Sequence, residues 1–199
     1  MKVHYLEQTT DLSDKNVSER ERQINQIFAS LFASDEIVQE VEIDGHPYRE
    51  GYEAEILGRL SEIREIRIHT VHGDVLVQNM LQELAEYLPR LNRAIDSISD
   101  LFYGDMTAED WNLFVQLLEG MGNVQQAVQV IREHNARSGR QDPLMEQLTL
   151  FSVRFQELLS ELEQAVEHGE RVAAGDLIKY ELGGIFQQLE QFIQAQVVA

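Results

Sequence analysis

The chain contains no cysteine. That single absence excludes disulfides, thiolate nucleophiles, iron–sulfur clusters and cysteine-ligated zinc. Positive charge is scarce as well: 16 Lys and Arg stand against 35 Asp and Glu, a net charge of −19 with a pI near 4.6. A surface this acidic repels nucleic-acid phosphates and anionic lipid heads at long range, so neither a nucleic acid nor a membrane is an expected partner. No stretch approaches the roughly 18–20 apolar residues of a membrane-spanning helix. Met1-Lys2-Val3-His4-Tyr5-Leu6-Glu7 has no apolar core of a secretory signal, and a cytoplasmic protein is expected.

Reaction-specific motifs are missing too. There is no Gly-x-Ser-x-Gly elbow, no Ser-x-x-Lys pair, no P-loop and no Gly-x-Gly-x-x-Gly, which removes the familiar footholds for nucleophilic catalysis and phosphate cradling. None of the 6 histidines follows a glutamate by three positions, so the Glu-x-x-His pattern of a di-iron helical bundle is absent. Glu83-x-x-Glu86 could supply half of a Mg²⁺ site of the pyrophosphate-hydrolysing kind, but no Glu-x-x-Asp exists to complete it. No cofactor is expected.

What is present is helical periodicity and apolar surface. Hydrophobic residues make up 43% and charged residues 26% of 199, ordinary proportions for a globular chain. The hydrophobic period changes near residue 73, which divides the chain into a small α/β domain, 1–73, and a helical domain, 74–199. In the first, Val3 and Tyr5 mark a strand, and Ser18 with Glu21 fits a capping box. Ile24, Ile27, Phe28, Leu31 and Phe32 form one helical face. Val41 and Ile43 alternate with Glu40 and Glu42, and Asp44-Gly45 signals a tight hairpin turn. Ile56, Leu57, Leu60 and Ile63 predict a second helix, and Ile66, Ile68 and Thr70 a last strand. The order β-α-β-β-α-β is that of a small ferredoxin-like domain, and the fold class expected is α+β.

From Asp74 onward, Val77, Leu81, Leu84, Leu88, Leu91, Ile95, Ile98 and Phe102 step by four and three. Pro89 should kink or break that helix. Thr107 reads as the next N-cap, with Trp111, Phe114, Leu118, Met121, Gln125 and Val128 following. Gly120 and Gly122 there would permit close helix packing. Ser138-Gly139-Arg140-Gln141 reads as a loop, and Asp142-Pro143 restarts a helix with an acidic cap and proline at its first position. Gly169 would end that helix in the left-handed conformation. The last helix presents Ile178, Leu182, Ile185, Leu189 and Phe192. Four long helices with short loops make an antiparallel up-down four-helix bundle.

Two places invite a functional reading. His69, His72 and Asp74 carry metal-ligand side chains at the domain junction, although strand alternation would face the two histidines apart; a polar hinge explains the same residues. On the last helix, Leu177, Tyr180 and Gly184 recur at helical spacing away from the main seam, with Asp176 one turn before Tyr180. Such a second stripe must cover something: the N-terminal domain, a second copy, or a partner's helix.

The stretch Gly-Asp-Leu-Ile-Lys-Tyr-Glu-Leu, 175–182, resembles segments of uncharacterised helical-bundle proteins of Gram-positive bacteria, over about the last thirty residues. That resemblance implies a bacterial helical protein and brings no activity with it. The expected function is a non-enzymatic interaction module, an adaptor or chaperone-like bundle that binds a protein partner or itself. The alternative is a metal-dependent hydrolase, or a small-molecule sensor, with its site near the junction of the two parts.

Overall fold

The structure is a computed structural model that describes residues 1–137 and 143–198. The segment expected to be a loop at 138–141, and the Asp142 cap, lie outside the described residues. The fold is mixed α and β, and it divides into two compact units, Met1–Leu76 and Val77–Ala199. Among the described residues no helix is long and apolar enough to cross a membrane.

The first unit is a five-stranded sheet with helices on one face. Its elements are β1 (Lys2–Tyr5), β2 (Gln8–Asp11), α1 (Val17–Ala33), β3 (Glu36–Ile43), β4 (His46–Tyr48), α2 (Tyr52–Arg59) and β5 (Glu65–His72). The strands lie in the order β2-β1-β5-β3-β4. β1 pairs parallel with β5, and the other neighbours pair antiparallel. It follows that β2 and β3 run the same way, as do β4 and β5, and that α1 and α2 are the connections that return the chain to a parallel strand. The sheet departs from the ferredoxin-like expectation by one strand, β2, and by the parallel pairing of its first and last expected strands. Gln-Thr-Thr-Asp offers no buried apolar side chain, which is why β2 leaves no mark on the hydrophobic pattern.

Period-two alternation divides the sheet faces. Val3, Val41, Ile43, Ile66 and Ile68 are buried with Ile24, Ile27 and Leu31 of α1 and Ile56 of α2. Each such side chain contributes roughly 1.5–3 kcal/mol on full burial. On the opposite face His4 Nε2 lies 2.9 Å from Glu65 Oε1, and Arg67 Nη2 donates to Glu65 Oε1 at 3.1 Å. The β3–β4 turn has φ of 49° at Asp44 and 82° at Gly45, the paired left-handed conformations of a type I′ hairpin. Asp44 Oδ1 also accepts the amides of Arg64 and Glu65, both at 2.9 Å.

Helix α1 starts two residues earlier than expected. Asn16, not Ser18, is the N-cap: its side chain accepts from Glu19 N at 2.9 Å, and Asn16 N donates to Glu19 Oε2 at 3.1 Å. Asn caps as well as Ser, and Asn-x-x-Glu offers the same reciprocal pair. Helix α2 ends at Arg59. Leu60 and Ile63 still reach the core, from the turn that follows, while Leu57 is exposed.

The second unit is helical. It is built from α3 (Gly73–Ser99), a 3-10 turn (Asp100–Tyr103), α4 (Ala108–Arg137), α5 (Pro143–Glu167), α6 (Arg171–Asp176), a π-helical segment (Leu177–Leu182) and α7 (Gly183–Val198). The division between units falls at the end of the first turn of α3. That helix runs through Pro89 without ending, so of the kink or break expected there the break does not occur. Leu84, Leu88, Leu91 and Ile95 bury the predicted stripe of α3. Thr107 caps α4 reciprocally: Asp110 N donates to Thr107 Oγ1 at 3.2 Å and Thr107 N to Asp110 Oδ2 at 2.8 Å. On α4 Leu117 is buried where Leu118 was expected, and Trp111 stays on the surface. Gly169, with φ 72°, ends α5: its N–H donates to Val166 O at 3.1 Å, and Glu170 N donates to Ala165 O at 2.8 Å. These are the two bonds of a Schellman motif.

Candidate interaction surface

The segment 175–182 is the local irregularity of the second unit. Its core is π-helical, Leu177–Leu182, with the wider i to i+5 bonding that houses one extra residue in a turn. Ile178 and Leu182 are fully buried, as expected. Beyond them the buried positions are Phe186, Leu189 and Ile193, not the Ile185, Leu189, Phe192 series of an unbroken helix. The cause is the widened turn: one surplus residue shifts every later position by about 100° relative to a continuous α-helix. Packing favours the outcome, because Phe186 meets the rings of Phe151 and Phe155 edge to face at 5.1 and 5.6 Å. Ile185 and Phe192 are left half-buried at the flank.

The reactive-looking side chains of this stretch do not converge. Asp176 Oδ1 accepts the Tyr103 hydroxyl at 2.7 Å, so its phenol partner is Tyr103 and not Tyr180. Lys179 Nζ donates to Asp100 Oδ1 at 2.7 Å and stands 6.0 Å from the Tyr103 ring centroid. Arg154 of α5 donates to Glu181 Oε2 at 3.1 Å and to Glu157 Oε2 at 3.2 Å. Just before the π segment, Arg171 Nη1 donates to Gly104 O at 3.0 Å. The bond to Asp176, with burial and the negative charges around it, pushes the Tyr103 phenol up to about 12. The bond to Asp100 raises Lys179, and those to Glu157 and Glu181 raise Arg154. Each charge meets a different neighbour, which makes the stretch a set of clamps between elements.

The four residues expected to form an interaction face divide the same way. Leu177 packs partly against the unit's own core, Asp176 is engaged by Tyr103, and Tyr180 projects at 65% exposure. Gly184 meets nothing within 4 Å of a notional Cβ, so no close approach explains it; Gly175 is the crowded glycine, with Phe102 Cβ at 3.0 Å and Ser99 O at 3.3 Å. On α4, Gly120 is likewise needed by Tyr87, whose hydroxyl lies 2.7 Å from that notional Cβ, whereas Gly122 is open.

His69 and His72 sit on β5, an odd and an even position of a strand that runs through both, and so on opposite faces. His69 Nε2 lies 3.2 Å from Glu42 Oε1. Its carboxylate neighbours are Glu42 and Glu40, with ligand atoms within 4.8 Å. The Glu40 carboxylate is also engaged by Arg49 Nε at 3.4 Å. His72 Nδ1 accepts the Asp74 amide at 3.3 Å. Glu83 and Glu86 both line a depression of about 330 Å³ between α3 and α4, beside Tyr87 and Arg90.

Apolar side chains also line a surface between α5 and α7. A depression of about 220 Å³ there has Phe151 and Leu189 on its floor and Leu150, Ile185 and Phe192 at its rim, with Gln147, Gln188 and Arg154 alongside. Leu150 and Val153 stand out beside it at 58% and 53% exposure. Sequence reasoning missed this face by placing Ile185 and Phe192 in the core. A signal was available in Gly-Gly-Ile-Phe-Gln-Gln-Leu-Glu-Gln-Phe-Ile-Gln-Ala-Gln-Val-Val, 183–198, where glutamine stands in nearly every polar position of an otherwise acidic chain.

The helical unit thus carries a polar clamp around the π segment and an apolar groove between α5 and α7. Residues 79–192 match the model of a family described as a domain of unknown function (DUF8042); that is more than half of the chain, and the protein belongs to this family. No curated protein and no solved structure matches the chain.

Proposed function

We propose that the protein is a non-enzymatic interaction module, which binds a protein partner or a second copy of itself through the outer surface of its helical unit. The observation that carries this reading is the apolar groove between α5 and α7, where Leu150 is exposed and Ile185 and Phe192 are half-buried along the rim. Large apolar groups gathered on a surface mark contact sites more than scattered ones do, and grooves between helices accept amphipathic helices. The same reading takes the second unit as an antiparallel four-helix bundle. In it α3, α4 and α5, each 25 residues or longer, are joined by a fourth helix made of α6, the π segment and α7. π segments often accompany functional surfaces, which agrees with Tyr180 being displayed at one.

Affinity purification of the tagged full-length protein, under several conditions, tests the reading. Recovery of a stoichiometric protein partner, a second copy included, is the expected result. Purification of the chain alone and monomeric under all of them would overturn it.

A further inference from the structure

We propose that Glu40, Glu42 and His69 form a binding site for a divalent transition-metal ion of the Zn²⁺ class, on the open face of the first unit's sheet. The site stands apart from the interaction-module reading and does not depend on it. Its donors come from two adjacent strands. Val41 and Ile43 of β3 and Ile66 and Ile68 of β5 are buried in the core, so alternation turns Glu40, Glu42, Arg67 and His69 to the other face. In the antiparallel ladder Glu40 pairs with His69, and Glu42 with Arg67. His69 therefore has one glutamate directly opposite and the other on the diagonal, both within reach of long side chains. Its Nε2 lies 3.2 Å from Glu42 Oε1, and one ligand atom from each of the three residues falls within 4.8 Å of the others. The register slips just beyond this pair, between Val38 and Glu40, which leaves Gln39 as the extra residue of a bulge. Bulges increase local twist and re-aim side chains, and they recur beside functional sites.

Distances and donor types favour the same occupant. Zinc bonds to nitrogen and oxygen of about 2.0–2.2 Å set tetrahedral donors roughly 3.4 Å apart. The spacing of His69 and Glu42 is close to that, and a side-chain torsion of Glu40 closes the third edge. One imidazole nitrogen with two carboxylate oxygens suits Zn²⁺ better than Mg²⁺, which prefers six oxygens and gives up its waters reluctantly. A plain histidine–carboxylate pair would need one acid, whereas here two flank a single ring. Among the described residues the only other cation on either acid is Arg49, whose Nε stands 3.4 Å from Glu40 Oε2 with 84% of its side chain exposed. Two carboxylates held side by side repel each other, and a divalent ion relieves that repulsion for both at once. Three protein donors leave a further coordination position facing solvent, open to water or a small ligand. His72 lies on the opposite face of β5, so the chelating set runs across the β3–β5 ladder instead of along one strand toward Asp74.

Calorimetric titration of the untagged full-length chain, stripped with a chelator and then given Zn²⁺, tests the site. Saturable binding is expected. His69→Ala and Glu42→Gln each remove a donor outright and should weaken it by more than the ~10-fold that changes behind a ligand bring. His72→Ala, on the other face, should leave it unchanged, and Mg²⁺ at the same concentration should give no comparable binding. Thermal melts supply a second readout: Zn²⁺ should raise the midpoint of the unsubstituted chain more than that of either variant, because an ion held only by the native state stabilises it. Metal-free melts of all the variants should match the unsubstituted chain. Absence of saturable Zn²⁺ binding overturns the proposal. So does binding that survives both His69→Ala and Glu42→Gln, binding that His72→Ala reduces as much as His69→Ala, or equal affinity for Mg²⁺.

Discussion

The π segment and α7 are consecutive turns of one helical succession, yet they treat charge in opposite ways. From Arg171 to Glu181 the basic and acidic side chains Arg171, Asp176, Lys179 and Glu181 each grip another element: Gly104 and Asp105, Tyr103, Asp100, Arg154. From Gly183 to Val198 there is one charge, and it faces inward to Asn92. The first region uses polarity to hold a widened turn in place. The second has shed polarity and exposes Ile185 and Phe192 beside Leu150. Position along a helix thus says less about a residue's role than what its neighbours leave unpaired.

Single-residue deletions should break this comparison most sharply. Removing Gln187 from α7 rotates the rest of that helix by about 100° and turns Leu189 and Ile193 out of the core. Loss of cooperative unfolding in a chemical denaturation experiment is expected. Removing the exposed Tyr180 takes out the surplus residue of the widened turn and keeps the register on both sides. That variant should remain folded with unchanged helical content. Comparable damage from the two deletions would refute the account of the π segment.

Truncations come next in size. Phe186→Ala empties a site with 0% exposure between two aromatic rings and should cost about 3–5 kcal/mol. Phe192→Ala, at the rim, should cost a small fraction of that in the monomer. Urea melts of both variants give the ratio. An unbroken helix with Phe192 in its seam would reverse it.

The clamp is sharpened by titration. Tyr103, raised to about 12 by the hydrogen bond it donates to Asp176, should appear as a late-ionising phenol in absorbance followed at alkaline pH. Its folded pKa exceeds the unfolded value near 10. The bond's contribution to stability is therefore complete below pH ~10 and disappears as pH rises toward 12. Asp176→Ala should bring the phenol down toward its ordinary value.

The smallest expected effect is at the acid end. The backbone and side-chain bonds of Thr107 hold the Asp110 carboxyl below its ordinary value. That stabilisation is full above the unfolded carboxylate range and is lost as pH falls through the lower folded value. Thr107→Ala keeps the backbone bond and removes the side-chain ones, so it should flatten this part of the acid-unfolding curve in part and leave the neutral-pH structure intact. An unchanged acid limb would show the cap to be energetically idle.

Much of this architecture was written in residue patterns. The alternation at Val41, Ile43, Ile66 and Ile68, the left-handed Asp44-Gly45 turn and the Gly169 stop were legible because each depends on short-range rules. What escaped depends on tertiary competition. β2 has no apolar signature of its own, and its pairing with β1 creates it. The capping of α1 by Asn16 over Ser18 turned on a choice between two capping boxes two residues apart. The candidate surface was misread for a similar reason: strict helical periodicity cannot represent a turn holding one residue too many, so Ile185 and Phe192 were assigned to the core that Phe186 and Ile193 occupy. His69 and His72 were separable by alternation alone, as the strand confirms.

Asp44 has a consequence for the order in which the first unit assembles. Its turn closes from local sequence, and hairpins of this kind form within microseconds. Its carboxylate then receives the amides of Arg64 and Glu65, residues 20 and 21 positions away, while its own amide donates to Glu65 O at 2.9 Å. A turn that closes this fast would present a ready-made anchor for the distant segment, and the start of β5 would be held at that fixed point before the strand pairs along β3.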